Sequence, residues 1–236
     1  KREKLDMKVC RQYALSEYAE NIVLLDTDSV KAFVGEYRPE HFLLKAENPL
    51  AIGPYDLGCH YMEHKVQQAE AMKGAKKRIL EVAAQFAALT GREYGLFEAY
   101  RMEDAEIALV LIGSSAGTAK VTVDALRARG IPAGLVKIRV FRPFPAEELA
   151  QTLKNVKALA ILDKAESFSA QGGPLFAEVR AALYDLEPRP RTVGYVYGLG
   201  GRDITPAHFA SVFARLEAIA AGGELGPVYS HLGQRG

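Results

Sequence analysis

Residues 106–113 read EIALVLIG, 114–130 read SSAGTAKVTVDALRARG, 131–140 read IPAGLVKIRV and 141–145 read FRPFP. This stretch, Ala105 to Pro145, decides the fold. Its first piece is an unbroken apolar run, the pattern of a strand buried on both faces. The second opens on Gly113, Ser114 and Ser115, continues with apolar residues at Val121 and Leu126 among alanines, and stops at Gly130, a helix C-terminal signal. The third is β-branched again and ends abruptly at Arg142-Pro143. Strand, Ser/Gly turn, helix, Gly and strand together predict one right-handed βαβ unit of a parallel sheet.

The unit repeats downstream. Pro145 to Lys154 predicts a short helix, with proline in the first turn and Glu147 and Glu148 where the helix dipole favours anions. Val156 to Leu162 (VKALAIL) predicts a third strand closed by Asp163. Gly172-Gly173-Pro174 starts a helix that runs through Tyr184. Thr192 to Tyr197 (TVGYVY) predicts a fourth strand. After the turn Gly198–Gly201, residues 206–220 form a last amphipathic helix carrying Phe209, Val212, Phe213 and Leu216. Four strands alternating with helices predict a small doubly wound parallel α/β sheet.

Upstream the pattern changes. Ile22 to Leu25 is a strand candidate, Asp26 to Ser29 a turn or cap, and Ser29 to Phe33 a short helix. Gly35 to Pro54 holds Pro39, Pro49, Gly53 and Pro54 and predicts an irregular arm. So long an irregular stretch is uncommon inside an isolated domain. It suits the tail of a domain that begins before Lys1, or a wrap around a partner. Met62 to Leu89 predicts a long helix with an apolar stripe at Val66, Ala69, Met72, Ile79, Val82, Phe86 and Leu89. Its other face carries Lys73, Lys76, Lys77 and Arg78. Glu93 to Arg101 reads as a linker. The expected fold class is therefore α/β, a small doubly wound parallel sheet with an N-terminal irregular arm and a long helix.

Composition narrows the function classes. The chain has 236 residues, 49% of them hydrophobic and 25% charged, as in ordinary soluble globular proteins. A formal net charge of +1 gives no electrostatic case for nucleic acid or an anionic membrane. The two cysteines, Cys10 and Cys59, form no CxxC, which argues against a cluster or structural zinc held by this chain alone and fits a reducing compartment. No apolar run reaches the length of a membrane span.

Several short motifs carry possible chemistry. Gly113-Ser114-Ser115-Ala116-Gly117 matches G-x-S-x-G between a strand and a helix, and Asp163 and His208 follow in hydrolase order. A serine hydrolase would use Ser115 as nucleophile, His208 as base and Asp163 to orient it. The plainer reading is a tight turn of small residues with Ser115 capping the helix. His60-Tyr61-Met62-Glu63-His64 matches H-x-x-E-H beside Cys59, with two histidines on one helical face but no third ligand. Gly198-Leu199-Gly200-Gly201-Arg202-Asp203 follows a strand. It suits either a phosphate contact or a demanding turn with Asp203 or Thr205 capping the next helix. Lys137, Arg139 and Arg142 make the exit of the second strand basic, beside Phe141 and Phe144, where open parallel sheets meet ligands and partners.

Longer blocks carry a family resemblance. YRMEDAEIALVLIGSSAGTAK (Tyr100–Lys120), KIRVFRPFP (Lys137–Pro145), GGPLFAEVRAALY (Gly172–Tyr184) and YGLGGRDIT (Tyr197–Thr205) resemble the second domain of the pyruvate:ferredoxin oxidoreductase α subunit, which is similar to the C-terminal domain of transketolase-like enzymes. VGEYRP (Val34–Pro39) and AENPLAIGP (Ala46–Pro54) resemble the end of its first domain. The resemblance implies residues 1–97 as the tail of a thiamine-pyrimidine-type domain and 98–236 as the transketolase C-terminal-like domain. It implies a subunit of a cytoplasmic enzyme of anaerobic metabolism that decarboxylates a 2-oxoacid on thiamine diphosphate with Mg, passes electrons through iron–sulfur clusters and acylates coenzyme A. Implied partners are a thiamine-binding β subunit, a γ subunit and an iron–sulfur, ferredoxin-like subunit. The acceptor would be ferredoxin, or NAD through a flavin subunit. No catalytic, cofactor-binding or metal residue of the family maps onto this chain; Arg139, Arg142, Phe144, Arg202 and Asp203 are the expected interface residues. Where the family has a D-G-F-x-L-S-H stretch, this chain has Arg11-Gln12-Tyr13-Ala14-Leu15-Ser16-Glu17, which leaves the choice of 2-oxoacid, pyruvate or an aromatic one such as phenylglyoxylate, open. The readings of other classes are the Ser115 hydrolase and a non-catalytic interaction module.

Overall fold

The computed structural model describes residues 24–42, 44–50, 53, 55–168 and 171–235. Cys10, the stretch Arg11–Glu17 and the strand candidate's Ile22 and Val23 lie outside the described residues; Leu24 and Leu25 are not in a strand. Two compact units divide the chain, Glu20–Gly74 and Ala75–Gly236, with the boundary inside a helix.

In the first unit, helix α1 (Thr27–Val34) starts at Asp26. The Asp26 carboxylate accepts from the amides of Asp28 at 3.1 Å and Ser29 at 2.9 Å, and from the Ser29 hydroxyl at 2.7 Å. The Ser29 hydroxyl, then its amide, hold that carboxyl below its ordinary pKa. Gly35 ends the helix at φ 75°, a conformation that costs glycine little. The described part of the arm that follows is irregular, as expected, with isolated turns such as Lys45 N–H to the Phe42 carbonyl at 3.2 Å; Leu43, Ala51, Ile52 and Pro54 of it lie outside the described residues. Tyr37 and Leu44 stand exposed along it. Helix α2 (Tyr61–Thr90) crosses the boundary and buries none of its residues.

The second unit is built on six strands, not the four expected. They are β1 (Phe97–Tyr100), β2 (Ile107–Ile112), β3 (Ala133–Ile138), β4 (Ala158–Asp163), β5 (Arg191–Tyr197) and β6 (Tyr229–Leu232), in the order β1-β3-β2-β4-β5-β6. Only β1 runs antiparallel, pairing Phe97 with Ile138 and Tyr100 with Leu135. The segment read as a linker thus supplies an edge strand. FEAY and YSHL are four residues each, too short for periodicity to mark; the open edges of β3 and β5 define them.

Helix α3 (Ser115–Ala128) and helix α6 (Pro206–Ala220) cover one face of the sheet; α4 (Ala146–Leu153) and α5 (Pro174–Leu183) cover the other. Odd residues of β2 (Ile107, Leu109, Leu111) face α3 and α6, and even ones (Ala108, Val110) face α4 and α5, which is why the run lacks polar alternation. Burial of each such Leu or Ile contributes about 1.5–3 kcal/mol. On α3 the buried stripe is Ala116, Ala119, Val123 and Leu126; Val121 is only half-buried. Thr205 caps α6, and its Phe209, Val212, Phe213 and Leu216 are buried as their spacing predicts. Gly134 lets β3 pass close to the preceding loop: a Cβ there would lie 2.9 Å from the Arg101 carbonyl oxygen and 2.9 Å from Ala105 Cβ.

The neighbours β2 and β4 send their helices to opposite faces, α3 to one and α5 to the other. Their carboxyl ends therefore frame the topological switch point, where open α/β sheets form a crevice.

Candidate functional site

The crevice holds a cavity of about 470 Å³ framed by Gly113 and Ser114 after β2, Phe141 after β3, Asp163 and Lys164 at the end of β4, and Pro174 at the start of α5. Asp163 is its buried carboxylate, 7% exposed. Oδ1 accepts from the Leu175 amide at 3.0 Å and Oδ2 from the Phe176 amide at 2.9 Å. Helix α5 opens on Gly173, which has no side chain to cap with, and Asp163 supplies the cap from the neighbouring strand. A Cβ at residue 173 would overlap the Asp163 carboxyl group, so the glycine admits the cap. Burial raises the Asp163 pKa above its ordinary value; the two amides work against that rise.

The hydrolase reading fails on this geometry. Ser115 is fully buried as the first residue of α3, with its Oγ outside hydrogen-bond geometry. Its polar neighbour is the Tyr197 hydroxyl, which is equally buried. Burial pushes Tyr197 up to about 12, and Ser115 lowers it only in part. His208 is engaged at the start of α6, where Nδ1 accepts from the Thr205 amide at 3.1 Å. Asp163 faces α5 and not an imidazole, so the three residues form no relay. Nor does Ser115 cap α3: the cap position is Ser114, and no side chain there bonds the helix.

The H-x-x-E-H motif does open α2, but His64 Nδ1 pairs with Asp56 at 2.5 Å, and Cys59 is free and exposed. Among the described residues no three His, Cys, Asp or Glu side chains converge to hold a metal ion. The glycine turn is a 3-10 helix (Leu199–Gly201) with Gly198, Gly200 and Gly201 all at positive φ, a conformational demand that glycine meets.

The basic strand exit is largely neutralised. Arg139 Nη2 pairs with Glu98 Oε2 at 3.0 Å and its guanidinium lies over Tyr94 at 5.0 Å. Arg142 pairs with Glu178 at 2.5 Å and lies over Phe141 at 4.3 Å. Phe144 meets Phe141 edge-on at 5.9 Å and packs against the core under α4 and α5. Burial alone would raise Glu98, but Lys120, bonded to it, and the charges of Arg139 and Lys137 outweigh burial and hold it low. Arg202 differs from both: its Nη1 donates to the Gly233 carbonyl at 2.7 Å, and Asp203 beside it is exposed.

Sequence reasoning missed two features. The strand-end cap by Asp163 has a faint signal, an aspartate closing an apolar run upstream of an uncapped Gly-Gly-Pro helix start. The cluster of Glu166 with Tyr229 and with His231 Nε2 at 2.8 Å has none, because its members are 63 and 65 residues apart.

The fold and crevice define a class: an open, mostly parallel α/β domain whose central carboxylate serves the structure. Residues 105–209 match pyruvate:ferredoxin oxidoreductase core domain II. The chain is 46% identical over 201 residues to pyruvate synthase subunit PorA of Thermotoga maritima, covering 85% of this chain and 51% of that protein. It is 40% identical over 205 residues to PorA of Methanothermobacter thermautotrophicus, covering 87% and 52%. It is 36% identical over 214 residues to ketoisovalerate oxidoreductase subunit VorA of Pyrococcus horikoshii, covering 90% and 54%. The chain belongs to the pyruvate:ferredoxin oxidoreductase family, on the side of its α subunits, and spans about half the length of the curated relatives it matches. A solved 2-oxoglutarate:ferredoxin oxidoreductase from Magnetococcus marinus aligns over 58% of this chain and 21% of its own at 20% identity and a TM-score of 0.39, too slight a likeness to add to the sequence match.

Proposed function

We propose that the chain is an α-subunit segment of a thiamine diphosphate-dependent, CoA-acylating 2-oxoacid:acceptor oxidoreductase, and that its own contribution is architectural. The observation that carries this reading is the 46% identity to a pyruvate synthase subunit, which extends over 85% of the chain. On this reading residues 98–236 form the second domain and residues 1–97 the tail of the first.

The described residues do not fit the cofactor's metal. No cluster of three metal-ligand side chains is present among them, and Asp163 already accepts two amides. On the same reading, magnesium, thiamine diphosphate and the iron–sulfur clusters belong to other parts of a cytoplasmic assembly: a thiamine-binding β subunit, a γ subunit and a ferredoxin-like subunit. Arg139, Arg142, Phe144, Arg202 and Asp203 follow the carboxyl ends of β3 and β5 and are proposed to border the interface with those partners. Among the described residues no helix is long and apolar enough to cross a membrane.

The test is an anaerobic affinity purification that reads subunits, iron and thiamine on one sample, followed by turnover with pyruvate, 2-oxoisovalerate and phenylglyoxylate in the presence of CoA. Co-purifying cluster- and thiamine-bearing subunits with 2-oxoacid-dependent reduction of ferredoxin or NAD are expected. A lone, colourless, thiamine-free protein would overturn the proposal.

A further inference from the structure

The strands β5 and β6 end in a second cleft, of about 310 Å³, bordered by the glycine turn after Tyr197 and by Arg202, His231 and Gln234. Among the described residues none that lines it is acidic. We propose that this cleft binds an oxyanion, the phosphate or carboxylate head of a small free ligand, with Arg202 as its principal contact.

Arg202 is set apart from the arginines of the β3 exit. Arg139 and Arg142 each have a carboxylate within 3.0 Å, whereas among the described residues Arg202 pairs with none. One arm of its fork is fixed by the Gly233 carbonyl, and the other nitrogens of a planar, already oriented guanidinium remain to meet an oxyanion side-on. His231 also lines the cleft, and its Nε2 engages the Glu166 carboxylate at 2.8 Å. The Gln234 amide adds a neutral donor. The glycine turn leaves room on its outer side, since a Cβ at Gly200 or Gly201 would meet nothing within 4 Å. A cleft at the carboxyl ends of parallel strands, whose described polar lining is a guanidinium, an imidazole and an amide set among Val196, Leu199 and Leu232, favours an anion over a cation.

Arginine-selective modification by phenylglyoxal, read peptide by peptide by mass spectrometry, tests this on the 236-residue chain without needing activity. Saturating inorganic phosphate should slow modification of Arg202 by about tenfold, the protection of a site about nine-tenths occupied. Potassium chloride at equal ionic strength should not, and Arg189 on the surface should keep its rate. His231→Gln and Gln234→Ala should each weaken the protection while Arg202 stays reactive. An Arg202 rate indifferent to phosphate would overturn the proposal, as would undiminished protection in both variants, which marks a general salt effect. Repeating the measurement on the assembled complex separates the sources of the anion. If Arg202 is already shielded there and phosphate changes nothing, a partner's carboxylate fills the cleft and the free-ligand proposal is overturned.

Discussion

The sheet and the long helix α2 both carry apolar patterns, and they meet different fates. Leu109, Leu135, Leu159 and Ile161 are fully buried in the sheet, whereas none of the thirty residues of α2 is buried and Val66 and Val82 are each 52% exposed. A periodic stripe says which face of an element seeks cover. It does not say that the cover lies in the same chain. The sheet domain completes its own core with α3 and α6 on one face and α4 and α5 on the other; among the described residues the α2 stripe is covered only in part, with Ile79 and Phe86 half-buried, Phe86 against Tyr94 at 5.8 Å, and Val66 and Val82 exposed.

The largest expected effect lies where cover is complete. Phe213 on α6 is fully buried against the sheet. Phe213→Ala should cost about 3–5 kcal/mol through lost burial and a cavity. Urea unfolding of the chain measures it, and a cost under about 1 kcal/mol would mean that α6 collapses freely onto the sheet. Next comes Gly134→Ala, which should cost about 1–3 kcal/mol. The added methyl meets a backbone carbonyl oxygen at 2.9 Å, so no side-chain rotation relieves it. A neutral outcome would show that the Arg101–Ala105 loop yields, placing it with the pliant regions.

That contrast also explains what was legible from residues alone. The central strands could be read because β2 and β4 are continuous apolar runs and β3 and β5 nearly so, each bounded by Gly, Pro or a charge. Helix α6 ran from Pro206 to Ala220 as its pattern indicated, since proline, apolar spacing and a capping threonine agree. The edge strands β1 and β6 were not legible, because what defines them is pairing with residues far along the chain, Phe97 with Ile138 and Gly194 with Tyr229. The sites divided the same way. The G-x-S-x-G and H-x-x-E-H matches were local and misleading: burial of Ser115, the Thr205–His208 cap and the Asp56–His64 pair had claimed those groups for structure. Charge spacing likewise marked the β3 exit as basic, while Glu98 and Glu178, which neutralise it, come from other elements.

The Glu98 network sharpens the comparison at intermediate size. It ties β1 to α3 and to the β3 exit through Lys120 and Arg139, with all three side chains about a quarter exposed or less. Glu98→Gln should cost about 1 kcal/mol near neutral pH, a partly exposed pair being screened. The Glu98 pKa is depressed in the fold, so its stabilisation is present above the unfolded value, about 4.5, and is lost as pH falls through the folded value. The gap between wild type and Glu98→Gln should therefore be widest near neutral pH and close under acid. A gap that stays constant down to pH 3 would detach the effect from ionisation and assign it to packing.

The smallest effect on the isolated chain belongs to α2, and there its smallness is informative. Val66→Ser removes an apolar group that is 52% exposed and leaves the helix otherwise intact, so urea unfolding of the chain alone should shift by no more than about 0.5 kcal/mol. If α2 is covered in the assembly proposed above, the same substitution should cut the yield of partner subunits in the anaerobic purification, because a hydroxyl then enters a desolvated interface without a bonding partner. A neutral result in the chain with a loss in the complex would show that the stripe finds its cover between chains. A loss of more than about 1 kcal/mol in the chain alone would place that cover within this sequence and erase the distinction between helix and sheet.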